Sequence, residues 1–385
     1  MATRRIRIRR NAVRFRITRA GWLFLLVSVL VGLAAVRTQG GLMYILFGGM
    51  MGAMHVSALI ARRMLGPLHV SREGPTRIWQ NQTVHFGYFM RNARKRGACL
   101  GIAIDQAAPE DVETAGGYCA HLPPAGTFRA GARFVARRRG RARLGDFAVS
   151  TSFPFGLVEA RRRFPDADTL VIWPARGRLK RRLLHHGAVD TSTAAPSPVT
   201  GGQDEFFGLR EYRQGDNPRW IHWRRSAGRV RPVLREMSRP LPEILWVILD
   251  TRAANERSRA ARERRIRLAG TLIDHALARG YEVGLSLAYS SDMRCIPPDS
   301  GRGQRRDLLD ALADVDDNAE RDVADAAALV PRGGLRESQI VILAGRPPEA
   351  DLLRALRFAG RSLRTVTDDR IEEYFIDDPL VAEGN

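Results

Sequence analysis

One short stretch of this chain carries the side-chain types of a hydrolase: Asp216, His222 and Ser226. A carboxylate, an imidazole and a hydroxyl are what nucleophilic acyl transfer uses. A triad is defined by geometry, however, and residues this near in sequence seldom converge. No G-x-S-x-G elbow is present to raise a serine at a strand-to-helix turn. Recognition or structural clasping is therefore the chemistry expected here, and no catalytic residue is assigned.

The same stretch offers other handles. Gly215-Asp216-Asn217-Pro218 is turn chemistry, with Asp216 able to bond its own backbone and Pro218 fixing φ. Arg210, Arg213 and Arg219 stand beside Glu205, Glu211 and Asp216, a pattern of charge-assisted pairs that knot a segment together. Trp220 and Trp223, three apart, fit one side of a helical turn and would pack between domains. With Arg219 they are also the residue types that anchor protein interfaces.

Elsewhere the chemistry is thin. Cys99, Cys119 and Cys295 are odd in number and lack C-x-x-C spacing, so buried reduced thiols are expected. His185, His186, His222 and His275 have no ligand spacing. Gly301-x-Gly303 is not followed by G-K-[ST] and makes no phosphate loop. No cofactor and no small-molecule substrate are expected.

The elements that must hold the central stretch follow from composition and patterning. The chain has 385 residues and a formal net charge of +21, from 62 Lys and Arg against 41 Asp and Glu. Such a balance suits anionic partners, a lipid surface or nucleic acid. Residues 1–19 are a basic arm, expected on the cytoplasmic side. Residues 20–63 hold two uncharged runs, Ala20–Val36 and Gly40–Ala61, broken only by Arg37-Thr38-Gln39. Each approaches the ~20 residues a membrane helix needs, so a two-span hairpin is expected. Gly48, Gly49, Gly52 and Ala53 would let its helices approach. Trp22 suits the interface, and Arg62 and Arg63 follow the second run. By the positive-inside rule both termini and the soluble domains face the cytoplasm.

Residues 64–175 read as short strands, among them Thr83–Asn92 with Val84, Phe86, Tyr88 and Met90 on one face. A β-sandwich of immunoglobulin-like kind is expected. Arg137–Arg139 and Arg161–Arg163 are basic clusters on expected strands, read as solvated strand ends with contact to lipid head groups as the functional alternative; they lack the interleaved aromatics of a stacking nucleic-acid face. Residues 176–242 read as a linker and the signature segment. Residues 243–385 alternate strand and helix and predict a doubly wound α/β domain. The apolar run Ile244–Leu249 is a buried parallel strand, and Gly280 caps a helix over Asn255–Arg279. The acidic Asp368–Asp378 stretch reads as a solvated tail, the alternative being contact with the basic middle of the chain.

Two motifs carry a resemblance. The first runs through Glu205, Phe206, Gly208, Leu209, Arg210, Tyr212, Gly215, Asp216, Pro218, Arg219, Ile221, His222, Trp223, Ser226 and Ala227. The second, within Arg138–Val158, reads R-G-x-x-x-L-G and ends in Pro154-Phe155-Gly156-Leu157. Both resemble the bacterial family called domain of unknown function 58. The resemblance implies a C-terminal von Willebrand factor A-like domain, which holds a divalent cation through D-x-S-x-S. Here that stretch is Asp250-Thr251-Arg252-Ala253-Ala254: the aspartate is present, and the serine positions are Arg252 and Ala254. No metal is expected by that route. Asp250 should instead pair with Arg252 or cap a helix. The competing arrangement keeps a cation on Asp250 and Thr251 with a loop residue such as Asp292.

The resemblance further implies a partner, a MoxR-type AAA+ ATPase, and work in envelope or complex assembly with other envelope proteins. The function expected is therefore a membrane-anchored scaffold or adaptor, not an enzyme. The alternatives are a hydrolase using Asp216, His222 or Ser226, and a basic nucleic-acid-binding membrane protein. Charge alone would make the latter's binding non-specific.

Overall fold

The computed structural model describes residues 12–166, 168–180, 183–184, 205–213, 218–228, 230–238, 243–253, 255–289, 292–316 and 321–377. The chain divides into two compact units: Met1–Gly177 with Leu309–Val315 and Asp377–Asn385, and Arg178–Leu308 with Asp316–Ile376.

The first unit opens with β1 (Arg14–Ile17), α1 (Arg19–Thr38) and α2 (Gly41–Leu65). Its strands follow: β2 (Leu68–Glu73), β3 (Arg77–Trp79), β4 (Thr83–Asn92), β5 (Cys99–Gln106), β6 (Val112–Ala115), β7 (Gly117–Leu122), β8 (Thr127–Ala136), β9 (Gly140–Leu144), β10 (Phe147–Thr151), β11 (Val158–Phe164) and β12 (Asp168–Trp173). They form a five-stranded sheet β1-β11-β10-β5-β7, a four-stranded sheet β2-β4-β8-β6 and a three-stranded sheet β3-β12-β9. Period-two patterning turns Phe86, Tyr88 and Met90 of β4 inward. Tyr88 meets Phe147 of β10 edge-on at 5.3 Å, so the two larger sheets share one core.

α1 and α2 are long and apolar enough to cross a membrane; α1's 20 residues rise about 30 Å. Their mutual face differs from the expectation. Gly48, Gly49 and Gly52 have nothing within 4 Å of where a Cβ would stand, so they lie on the open side of α2. The close approach is at Gly32, where a Cβ would come within 3.1 Å of the Phe47 ring. The inward positions of α1 are Gly21, Ser28 and Ala35, all buried and seven apart. That spacing places three small residues on one side of α1. Large side chains such as Leu23, Leu26, Leu30 and Leu33 point outward.

Both ends of this hairpin are fixed to β11. The basic arm is not wholly an arm: Arg14–Ile17 add an edge strand, with Ile17 opposite Val158. Thr18 caps α1 by accepting from Gly21 N and donating to Gly156 O. A Cβ on Gly21 would stand 2.0 Å from Leu157 O, so only glycine allows this seat. At the other end, one nitrogen of buried Arg162, Nη1, donates to the carbonyls of Leu65, Gly66 and Leu68 at 2.8–3.0 Å. A buried guanidinium thus satisfies the carbonyls that a helix C-terminus leaves open. Ala61, Met64 and Leu65 of α2 join the sheet core directly.

The second unit runs β13 (Arg178–Leu179), β14 (Glu205–Glu211), a 3₁₀ turn at Pro218–Trp220, α3 (Trp223–Ser226), β15 (Val233–Ser238), β16 (Ile244–Asp250), α4 (Glu256–Ala278), β17 (Glu282–Tyr289), β18 (Asp292–Asp299), α5 (Gly301–Asp314), α6 (Val323–Ala328), β19 (Gln339–Ala344), α7 (Ala350–Ala359), β20 (Ser362–Thr367), α8 (Ile371–Tyr374) and β21 (Phe375–Ile376). One sheet has the order β18-β17-β16-β19-β20, parallel except for β18. Pro297 and Pro298 hid β18 from a sequence reading, and its edge place is where proline is tolerated. Leu245 to Asp250 of β16 are all buried, as a parallel strand covered on both faces requires. Trp246 and Ile248 cluster with Val323 and Ala326 of α6 and Leu356 of α7. The apolar stripe of α4, Ile266, Ala269, Leu272 and Ala276, is buried against β16 and β17.

Two linker expectations are corrected. The start of the 176–182 basic run is β13, paired with β21. The acidic stretch after Thr367 is not a solvated tail as far as it is described. Glu372 meets Arg264 at 3.2 Å, and its carbonyl accepts from Lys180 Nζ.

Candidate functional site

The carboxyl end of the β16 strand gathers the charged side chains of the second unit. Asp250 is buried there, and every contact it makes is to a donor. Its Oδ1 accepts from Arg252 N at 2.9 Å, and its Oδ2 accepts from Gly345 N at 2.9 Å and from Arg265 Nη1 at 3.3 Å. Arg265, 2% exposed, comes from α4 and spreads its fork across three residues. Nη2 donates to Arg252 O at 3.1 Å, and Nε faces Asp368 Oδ1 at 3.5 Å. The loop after β19 makes room for it: a Cβ on Gly345 would stand 2.3 Å from Arg265 Nη1.

Asp250 was expected to pair with Arg252. It takes only that residue's backbone N–H. The Arg252 side chain turns outward to Asp322 at 3.6 Å, because the nearer position is already filled by Arg265. Thr251 is no free oxygen ligand, since its hydroxyl donates to Ala288 O. The Asp292 side chain lies outside the described residues. Among the described residues no group of His, Cys, Asp and Glu is arranged to hold a metal. The oxygen atoms of Asp250 and Arg252 here surround a guanidinium, with a fixed charge and directional donors.

Burial pushes the Asp368 carboxyl above its usual range; Arg265 opposes this and Asp250 adds to it. Arg265, Gly345 and Asp368 were not read as site residues. A signal for Arg265 exists. With Arg262 it falls in register with Ile266, Ala269 and Leu272 on the apolar stripe of α4, where a charge demands a partner.

The signature stretch forms a hairpin. β14 and β15 pair from Glu205 opposite Ser238 to Glu211 opposite Val233, with a bulge between Phe206 and Gly208. Between them lie the 3₁₀ turn and α3. Ile221 bridges to Leu234, and Tyr212 N donates to Pro232 O at 2.8 Å. Gly215 and Asp216 lie outside the described residues, as do the side chains of Glu205, Phe206, Gly208 and Arg210.

His222 and Ser226 are brought together, but through the main chain. Ser226 Oγ accepts from Val233 N at 2.8 Å and donates to His222 O at 3.0 Å. The His222 ring caps α3, Nδ1 accepting from Arg225 N at 3.3 Å. Ser226 Oγ fastens α3 to β15, while the His222 ring caps α3 from within its own turn. Trp220 and Trp223 do not share one side of a turn. Trp220 is half-buried in the 3₁₀ turn, while Trp223 opens α3 and is 68% exposed. Pro218, Arg219, Arg224 and Arg225 are exposed around it, and Ile221 is half-buried.

Residues 208–374 match the family described as "Protein of unknown function DUF58", in support of the resemblance carried by this hairpin. No curated protein matches the chain. Among solved structures it is similar to the solution structure of the CARDB domain of PF1109 from Pyrococcus furiosus. That similarity covers 28% of this chain and 94% of that one, at 9% identity and a TM-score of 0.18, and no fold assignment rests on it.

Proposed function

We propose that this chain is a membrane-anchored scaffold or adaptor. In this reading α1 and α2 span a bacterial inner membrane, and both soluble parts face the cytoplasm. The Arg14, Arg16 and Arg19 side and the Arg62–Arg63 side of the hairpin are basic, with Arg37 alone at the turn. The first unit acts as an immunoglobulin-like sandwich that sets the height above the bilayer. The second acts as a von Willebrand factor A-like, doubly wound domain whose cation is replaced by Arg265.

The observation that carries the reading is Trp223. A tryptophan this exposed, on a short helix clasped by Ser226 and flanked by Arg224 and Arg225, is built to be covered. Trp and Arg supply most hot spots of protein interfaces. Its partner, by the resemblance to the family, is a MoxR-type AAA+ ATPase. The test is affinity capture of the full chain from solubilised membranes, with bound proteins identified. Wild type should retain an ATPase, and Trp223→Ala should weaken retention by roughly thirtyfold, the effect of losing ~2 kcal/mol. Equal recovery by both would remove Trp223 from the interface; no ATPase with either would remove the partner.

A further inference from the structure

The five-stranded sheet has one face in the core and one outside. On the outer face the register runs Ser150, Ala103, Tyr118 across β10, β5 and β7. At the two small residues the surface sinks into an open trough of about 590 Å³, within the size range of small-ligand sites. Gly101 and Ala103 of β5 both line it. Gly101 is skipped by the pairing, which runs from Leu100 opposite His121 to Ile102 opposite Cys119, and its φ is 59°. A Cβ there would stand 3.8 Å from the Tyr118 hydroxyl and 3.9 Å from Thr151 Oγ1, so two hydroxyls converge over a bare stretch of backbone. Tyr118, from β7, and Phe155, from the loop between β10 and β11, line the trough and are 63% and 57% exposed.

The lining sorts the ligands it can take. Half of its twelve residues, Thr18, Tyr118, Ser150, Thr151, Ser152 and Glu159, carry a side-chain oxygen, which disfavours a wholly apolar ligand. It holds no Lys, Arg or His, so an anion meets no countercharge there. Its one charge, Glu159, stands opposite Arg16, so a cation would meet a like charge beside the carboxylate. A neutral molecule rich in hydroxyls remains. Two groups are ready to receive one. Ser150 is only 5% exposed, yet its hydroxyl has no hydrogen-bond partner among the described residues. A polar group buried this far normally has one. The Glu159 carboxylate, which only accepts, likewise makes no hydrogen bond or ion pair among the described residues.

We propose that the trough binds a sugar ring. The C–H face of a pyranose is apolar and packs on exposed aromatic side chains, here Tyr118 and Phe155. Its hydroxyls, each both donor and acceptor, are met by Ser150, Glu159 and the Tyr118 hydroxyl. Thr151 and Thr18 are positioning residues: their hydroxyls donate to Leu100 O at 2.9 Å and Gly156 O at 2.6 Å and hold two walls in place. The site goes beyond the adaptor reading and does not depend on it, since its whole lining belongs to the first unit. A free saccharide and a glycolipid headgroup share this chemistry.

The test uses the full chain in phosphatidylcholine nanodiscs, prepared without sugar-based detergent. Methyl glucoside, methyl N-acetylglucosaminide and maltotriose are titrated in, and binding is read by saturation-transfer NMR. At least one should bind with a Kd of about 1 mM or tighter, and choline chloride and inorganic phosphate should bind more weakly than it. Tyr118→Ala should weaken that saccharide by roughly tenfold or more, and Tyr118→Phe, which keeps the ring face, by only about threefold. Ala103→Leu, which fills the trough and leaves every polar group, should abolish binding, so the result does not hang on one variant. Phe89→Ala, at an aromatic 41% exposed on the four-stranded sheet, should change nothing. A diglucosyl lipid built into the nanodisc then separates the sources: competition with the saccharide assigns a glycolipid headgroup, and none assigns a free sugar. No saturation transfer from any of the three saccharides, unchanged binding by Tyr118→Ala and Ala103→Leu, or tighter binding of choline or phosphate would overturn the site.

Discussion

The two units each bury an arginine, and they use it in opposite ways. Arg162 aims a single nitrogen at three backbone carbonyls, two at the end of α2 and one at the start of β2. Arg265 spends three nitrogens on three residues, two of them carboxylates. The first is a point donor that ties a helix to a sheet. The second is a planar fork that fills the space between converging loops. A buried charge is tolerated only when it is paired, and here the groups that meet each guanidinium differ in kind. Carbonyls around a helix end mean anchorage; oxygens from the β16 end and the loop after β20 mean that one side chain joins separate segments.

Breaking the second arrangement should have the largest effect. Asp250→Ala leaves Arg265 buried beside Asp368 alone, and should cost about 3–5 kcal/mol in denaturant unfolding of the full chain in detergent. Arg265→Lys keeps the charge but cannot reach three directions. A loss of about 2 kcal/mol is expected, because the swap is not conservative where the fork is used. Calorimetry with magnesium or manganese on the wild type should show no micromolar binding; a clear isotherm would contradict the guanidinium's role.

Arg162→Lys sharpens the contrast. An ammonium has three donors at one point and three carbonyls to meet, so the cost should stay within about 1 kcal/mol. Arg162→Leu, which orphans those carbonyls, should cost about 3 kcal/mol. Equal costs for the two lysine variants would show that geometry is not what separates the sites.

The smallest effect carries an opposite sign. The folded-state pKa of Asp368 is raised, chiefly by burial. Its contribution to stability is therefore fully present below the usual carboxylate range and is lost as pH rises through the folded value. Asp368→Asn should stabilise the chain at neutral pH, and the gain should vanish in acid. A gain that persists in acid would assign the effect to packing instead.

Much of this architecture was legible. Uncharged runs marked α1 and α2, alternation marked β4, and a 3.6-residue stripe marked α4. What stayed hidden depended on partners distant in sequence. Asp250 and Asp368 meet Arg265 only because β16, α4 and the loop after β20 end together. β1 was masked because every other residue in it is arginine, a pattern that also describes a solvated arm. In α2 the glycines drew attention, yet the close approach falls at Gly32 of α1 against Phe47, and the buried side of α1 carries Gly21, Ser28 and Ala35, whose seven-residue spacing was present in the sequence all along. In the signature, residue types suggested a hydrolase, while the distances show Ser226 and His222 serving the backbone.

The join between α1 and α2 consists of Gln39, in the left-handed region at φ 50°, and Gly40. In the membrane-anchored reading proposed above, this two-residue bend is what the hairpin itself would offer to the far side of the bilayer.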